Sequence, residues 1–300
     1  MIGGVTDLED AIRDWSPEPV TTTGTTTAWT VAAVSGLFDL DPVAGEGEPL
    51  PPMWHWFGFL EHPRSDELGD DGHLEAGHFL PPLAMRRRML AGGRLSVTRP
   101  MRVGETLTRR SSLVDAQVKH GRSGDMLLVT VRDEFLAEDA GSGDGEAVVT
   151  EETDIVYRSQ APGQARGIGF GTPSGEAPKM SDEAVTVLPD STLLFRFSAL
   201  TYNAHRIHHD HPYVTEVEGY PGLVVHGPLL ALMLLEIPRR HRPGRTVTAF
   251  DYRLARPAFA DHLLVADQDG GRGRSGAAEL AVAAGAVGVA ASVTGTITLA

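Results

Sequence analysis

Two stretches, LSVTRPMRVGETL at residues 95–107 and YRLARPAFADHLL at residues 252–264, read the same way. Each is a strand that ends in Arg-Pro, then three residues, an acidic or glycine turn, and a second strand. Arg99-Pro100 in one matches Arg256-Pro257 in the other. The flanking sequence matches too. An apolar segment with glycine and proline at its head precedes each copy, GHFLPPLAMRRRML (77–90) and HGPLLALMLLE (226–236), and each is expected to be a helix. Runs rich in Val, Ile and Thr follow: LLVTVRDEFL (127–136) and AVVTEETDIVYR (147–158) in the first copy, ELAVAAGAVGVA (279–290) and SVTGTITLA (292–300) in the second. One helix followed by several antiparallel strands, written twice, outlines an α+β fold in which a sheet wraps a helix.

Between the copies lies QAPGQARGIGFGTPSGEAPKMSDEA (160–184), dense in Gly, Pro and Ser and free of hydrophobic periodicity, which reads as a linker. The expected division is a first domain over 1–160, a linker over 161–186 and a second domain over 187–300. The acidic, glycine-rich DAGSGDGE (139–146) lengthens a hairpin and marks an exposed tip.

Composition narrows the class. With 300 residues, 41% of them hydrophobic, the chain can bury a full core. The absence of cysteine excludes disulfides and any thiolate nucleophile or thiolate metal site. A net charge of −14 argues against nucleic acid or an anionic membrane surface as partner. The N-terminal MIGGVTDLEDAIRDW carries acids where a signal peptide has basic residues, and no run approaches the ~18 apolar residues of a membrane span. The expected compartment is the cytoplasm.

The chemistry concentrates in FSALTYNAHRIHHDHPY (197–213) and GYPGLVVHGPLLALMLLE (219–236). His208 follows Asn203 by five residues and precedes Asp210 by two. Histidine is the natural acid and base near neutral pH, because its unperturbed pKa of ~6.5 lets it take and return a proton. Asn203 is placed to position water or hold the ring's tautomer. For Asp210 two readings stand, orienting His208 or capping the following helix. Downstream, Gly222, His226 and Gly227-Pro228 lead into a long apolar run. Proline suits the first turn of a helix, and the free N–H groups there attract developing negative charge. A plain turn before a core helix explains the same residues.

The second half resembles the hydratase/dehydratase class of the hotdog fold, the MaoC-like enoyl-CoA hydratases. Their motif runs Gly-Asp-x-Asn-Pro-x-His and is followed by a His-Gly segment that opens the central helix. With the family's histidine on His208, its aspartate falls on Asn203, and the serine this class carries along the helix is absent near Leu235. The whole chain, through WHWFGFLE (54–61), AGHFLPPLAMRRRMLAGGRL (76–95), EETDIVYR (151–158) and FSALTYNAHRIHHD (197–210), is similar to a narrower branch with that asparagine built in. This is the branch of the 3-methylfumaryl-CoA (mesaconyl-CoA) hydratases and the mitochondrial-type 3-hydroxyacyl thioester dehydratases. The resemblance implies a tandem double hotdog whose second half is catalytic and whose first half shapes the acyl pocket. It implies hydration of an enoyl-CoA, most naturally mesaconyl-CoA to citramalyl-CoA, with His208 as base and acid, Asn203 positioning water and the Gly227 amide receiving the enolate oxygen. The alternatives are a broader (R)-3-hydroxyacyl-CoA or acyl carrier protein dehydratase, and a non-catalytic acyl-CoA binding subunit. A homodimer is also expected by resemblance.

Other residues are candidates for the substrate. Arg86, at the head of Arg86-Arg87-Arg88, and Arg239-Arg240 offer cations for the coenzyme A phosphates or serve as helix C-terminal charges. Arg206 is a candidate for a distal carboxylate, and His226 and Gly222 for the pocket wall. No cofactor beyond the coenzyme A of the substrate is expected. The four histidines His205, His208, His209 and His211 lack the acidic pair or cysteine that would complete a metal site. GIGFG (167–171) lies in the linker, away from any strand-to-helix turn, and no Gly-x-Ser-x-Gly elbow is present.

Overall fold

The computed structural model describes residues 8–83, 86–121, 124–137, 147–159, 180–269 and 278–300. Most of the linker and the 139–146 insertion lie outside them. Its elements are α1 (Leu8–Ile12), β1 (Val20–Thr25), α2 (Ala28–Ser35), β2 (Arg86–Val97), β3 (Thr106–Gly121), β4 (Gly124–Ala137) and β5 (Ala147–Ser159). There follow β6 (Val185–Val187), α3 (Ser191–Leu200), α4 (Gly227–His241), β7 (Val247–Leu254), β8 (Leu264–Gln268), β9 (Glu279–Ala286) and β10 (Val293–Leu299). Strand β6 takes in the last two residues of the segment expected as linker.

All ten strands form one antiparallel sheet in the order β1-β3-β4-β5-β2-β7-β10-β9-β8-β6. The order reads alike from either end, each half contributing five strands, and the halves join where β2 pairs β7. The Arg-Pro repeat sits at corresponding places. Gly104 and Asp261, both tenth in their stretch, have positive φ of 80° and 62°. Leu50 N–H donates to Met101 O at 2.8 Å, and Val225 N–H donates to Ala258 O at 2.8 Å. The isolated bridges Pro49 with Arg102 and Val224 with Phe259 repeat the match. The chain is a double hotdog.

That equivalence corrects one expectation. GHFLPPLAMRRRML is not the first half's helix: Arg86 opens a twelve-residue strand, paired to β5 on one side and β7 on the other. Matching Leu50 to Val225 places the counterpart of α4 after Pro51-Pro52, and there the chain makes only one 3₁₀ turn, Trp54–Phe57. Gly58 then passes so close to Thr26 that an added Cβ would lie 2.3 Å from its hydroxyl oxygen. In the second half α4 is complete. Leu229 through Pro238 are all buried, and the helix packs on β6, β7, β8, β9 and β10. Burying a leucine side chain contributes roughly 1.5–3 kcal/mol, so this one helix anchors its half of the core.

Candidate active site

The catalytic stretch begins where α3 ends. Asp190 caps α3, its side chain accepting from Leu193 N–H at 2.7 Å, and Leu194 and Phe197 fix the helix in the core. After the cap residue Thr201, Tyr202 turns left-handed at φ 51°, and Asn203 N–H closes back on Ser198 O at 2.9 Å. Asn203 Oδ1 accepts from His205 N–H at 2.9 Å, an Asx turn that leaves the amide's NH₂ without a partner among the described residues. A 3₁₀ turn over Arg206–His208 then carries the histidine inward.

His208 is buried, and its Nδ1 lies 2.7 Å from the carbonyl oxygen of Val224. A carbonyl only accepts, so Nδ1 carries the proton and Nε2 keeps its lone pair. Burial pushes the ring's pKa down to about 3, so it is neutral at working pH. Below it His226 stacks at 3.7 Å and 19°, itself held well below the ordinary value by burial and set 2.9 Å from Ser198 Oγ. Two parallel imidazoles this close cannot both be charged, and burial keeps both neutral at rest.

His226 is the residue before α4, Gly227 its first residue, and Pro228 lies in its first turn. A Cβ on Gly227 would meet Leu254 Cδ2 at 3.0 Å and Leu90 Cδ2 at 3.4 Å, so the helix start is pressed onto β7 and β2. Asn203, His208 and Gly227 all line one cleft of about 1430 Å³. Its floor is first-half sheet, Arg87 to Ala91 of β2 and Thr153, Ile155, Val156 and Arg158 of β5, next to the shortened Trp54–Phe57 turn. The segment Asp71-Gly72-His73 closes one side: Arg206 N–H donates to Asp71 O at 2.9 Å, and a Cβ on Gly72 would fall 2.0 Å from Ala204 O.

Several expected residues stand elsewhere. Asp210 does not orient His208, whose Nδ1 is taken by Val224; it pairs with Arg206 at 2.8 Å and caps the next turn through Tyr213 N–H. Arg206 is committed to Asp210, to Asp70 O and to the face of Tyr213 at 4.1 Å, and does not line the cleft. Arg239 and Arg240 both bind the buried Glu236 at the end of α4, away from the cleft. Gly222 does not line it either, and His226 lies beneath His208 rather than on the wall. Arg86 heads β2, and its side chain lies outside the described residues, whereas Arg87 and Arg88 do line the cleft, with Arg256 of the repeated Arg-Pro turn. Among the described residues the four histidines form no ligand cluster, although His205 meets His208 edge-on at 5.5 Å. Instead Asp71, His73 and His205 place one ligand atom each within 4.8 Å of one another, and His73 Nδ1 lies 3.2 Å from Asp71 Oδ2.

Sequence reasoning passed over a second group. Behind the cleft, a pocket of about 250 Å³ is lined by His55, Trp56, Arg109, Asp133, Glu151 and Tyr252 among others. Glu151 accepts from His55 Nε2 at 2.7 Å and Trp56 Nε1 at 2.8 Å. The signal was present: Glu151 alternates with Val149, Ile155 and Tyr157 on the buried row of β5.

Residues 53–260 match the model of the hydroxyacyl-thioester dehydratase type 2 family. A mesaconyl-C(4)-CoA hydratase from Chloroflexus aurantiacus is 42% identical over 246 residues, covering 80% of this chain and 84% of that protein. The chain belongs to the hydroxyacyl-thioester dehydratase type 2 family. A mitochondrial type 2 member from Schizosaccharomyces pombe is 27% identical over 72% of this chain and 76% of its own. Among solved structures, a MaoC-like dehydratase from Phytophthora capsici superposes with a TM-score of 0.66 at 13% identity, over 98% of this chain and 99% of that one, which establishes the shared fold. As a family member the chain is a hydro-lyase of acyl thioesters, and no described helix is long and apolar enough to cross a membrane.

Proposed function

We propose that this chain adds water to mesaconyl-CoA to give citramalyl-CoA, with His208 as the group that moves the proton. The observation that carries the reading is the fixed tautomer of His208, a neutral ring with Nδ1–H tied to Val224 and Nε2 unpaired among the described residues, on a cleft shared with Asn203 and the start of α4. The name of the Chloroflexus relative supports the substrate.

In this scheme Nε2 takes a proton from a water held by the Asn203 NH₂. The hydroxide bonds to the β-carbon, the double bond's electron pair moves to the thioester oxygen, and the Gly227 N–H donates to that enolate. The imidazolium so formed is buried and therefore a strong acid. It returns its proton to the α-carbon as the carbonyl re-forms, so one group serves both carbons from one face. Each step uses only water, substrate and protein groups. Arg88 and Arg256 on the cleft wall supply charge for the coenzyme A phosphates. The cytoplasm and a homodimer complete the proposal, the latter tested by sedimentation at several concentrations.

The deciding experiment follows the ultraviolet absorbance of the conjugated thioester with mesaconyl-CoA, crotonyl-CoA and a longer enoyl-CoA. Rapid loss with mesaconyl-CoA, cut about 10³-fold in His208→Asn, is expected. Preference for the longer chain would replace this reading with the broader dehydratase, and inactivity on all three would point to a binding subunit.

A further inference from the structure

Mesaconyl-CoA differs from a simple enoyl-CoA in bearing a carboxylate on the carbon that takes the hydroxyl. A site for it needs a cation beside the catalytic loop, not at the outer mouth. This inference rests on the hydratase reading of the cleft and names the residues that would choose the substrate.

Arg109 lies on β3 between Leu107 and Ser111, both buried, so it occupies the inward row of the sheet. Arg109 itself is half-buried, beside the exposed Thr22 of the edge strand β1. Two neutral oxygens hold the guanidinium: Nε donates to Thr22 Oγ1 and one terminal nitrogen to Phe59 O, both at 3.1 Å. Among the described residues no carboxylate forms an ion pair with it. The two nearby acids have donors of their own, Glu151 from His55 and Trp56, and Asp133 from Ser111. Burial pushes Asp133 upward, toward its neutral form, while Ser111 and the charge of Arg109 draw it partway back without an ion pair.

Arg109 lines both the main cleft and the inner pocket, and so do Asn203 and Pro228, so it shares cavity walls with the catalytic loop. On the same inner pocket stands Tyr252 of β7, 5% exposed, whose hydroxyl has no hydrogen-bond partner among the described residues. Leaving a buried O–H without an acceptor is unfavourable, so its position points to a ligand oxygen. We propose that Arg109 and the Tyr252 hydroxyl form the subsite for a carboxylate carried on the β-carbon of the acyl group.

The test pairs ligands that differ only there. Succinyl-CoA and butyryl-CoA carry a carboxylate or a methyl on the same carbon and cannot be hydrated, so calorimetry reads binding without turnover. Arg109→Gln is expected to lower the succinyl over butyryl preference about 30-fold, Arg109→Lys to retain part of it, and Tyr252→Phe, which keeps the ring, to lower it roughly 5-fold. The kcat/KM ratio of mesaconyl-CoA to crotonyl-CoA should fall in parallel. An unchanged preference in correctly folded Arg109→Gln overturns the subsite, whatever the turnover. Wild-type protein that prefers succinyl-CoA but hydrates neither enoyl thioester overturns the hydratase reading and leaves the subsite standing.

Discussion

Burial at the level of single side chains makes this protein sensitive to acid. His205, His208 and His226 all have their ionisation disfavoured chiefly by burial. Their folded pKa values lie below the unfolded value near 6.5, so between the two the unfolded chain binds more protons. Stability is therefore complete above about pH 7 and declines as pH falls through 6.5, by up to about 1.4 kcal/mol per unit for each ring. Urea midpoints at pH 7.5 and 5.5 should show this, with a smaller difference in His208→Asn; a midpoint independent of pH would contradict the buried neutral rings. Asn203, His208 and Gly227 were legible because their order along one loop and helix start is local. Of the two readings open for Asp210 the cap is the one observed, Arg206 is drawn from the substrate to that aspartate four residues on, and the acceptor for His208 comes from Val224, sixteen residues on. Arg109 was legible only as a charge on an inward row, a signal that needs the strand register first.

For the elements, propensity misled at one place. Arg, Met and Leu favour helix, so the run before Arg99-Pro100 was read as one, yet pairing on both flanks makes it a central strand. Its counterpart β7, also ending before Arg-Pro, gave the better cue. Helix α4 was plain from its apolar run and its Gly-Pro start. One turn before its end Glu236, 2% exposed, is paired with Arg239 at 2.6 Å and Arg240 at 2.9 Å. Glu236→Leu leaves both guanidiniums without that partner and is expected to cost about 3 kcal/mol in chemical denaturation while sparing thioester binding. A loss under ~0.5 kcal/mol would mean solvent already carries those charges.

Across the whole molecule the two halves meet along a short seam. Gly92 and Gly93 of β2 face Arg253 and Tyr252 of β7, and a Cβ on Gly92 would lie 2.3 Å from Tyr252 O. Gly92→Val must push the strands apart, so a loss of about 3 kcal/mol or more and a fall in activity are expected together, read by thermal unfolding and the absorbance assay. Wild-type stability in that variant would show the seam to be compliant. The duplicated plan was visible in the Arg-Pro stretches, whereas the shortening of one copy's helix was not, since a single 3₁₀ turn leaves no periodicity to read. That shortening sets the stoichiometry of the enzyme. A sheet with twofold order has two places to build a site, but one copy keeps the helix and its histidine loop while the other gives up its helix to make room. One acyl-binding site per chain is therefore expected, and titration with a thioester should saturate at one equivalent per chain.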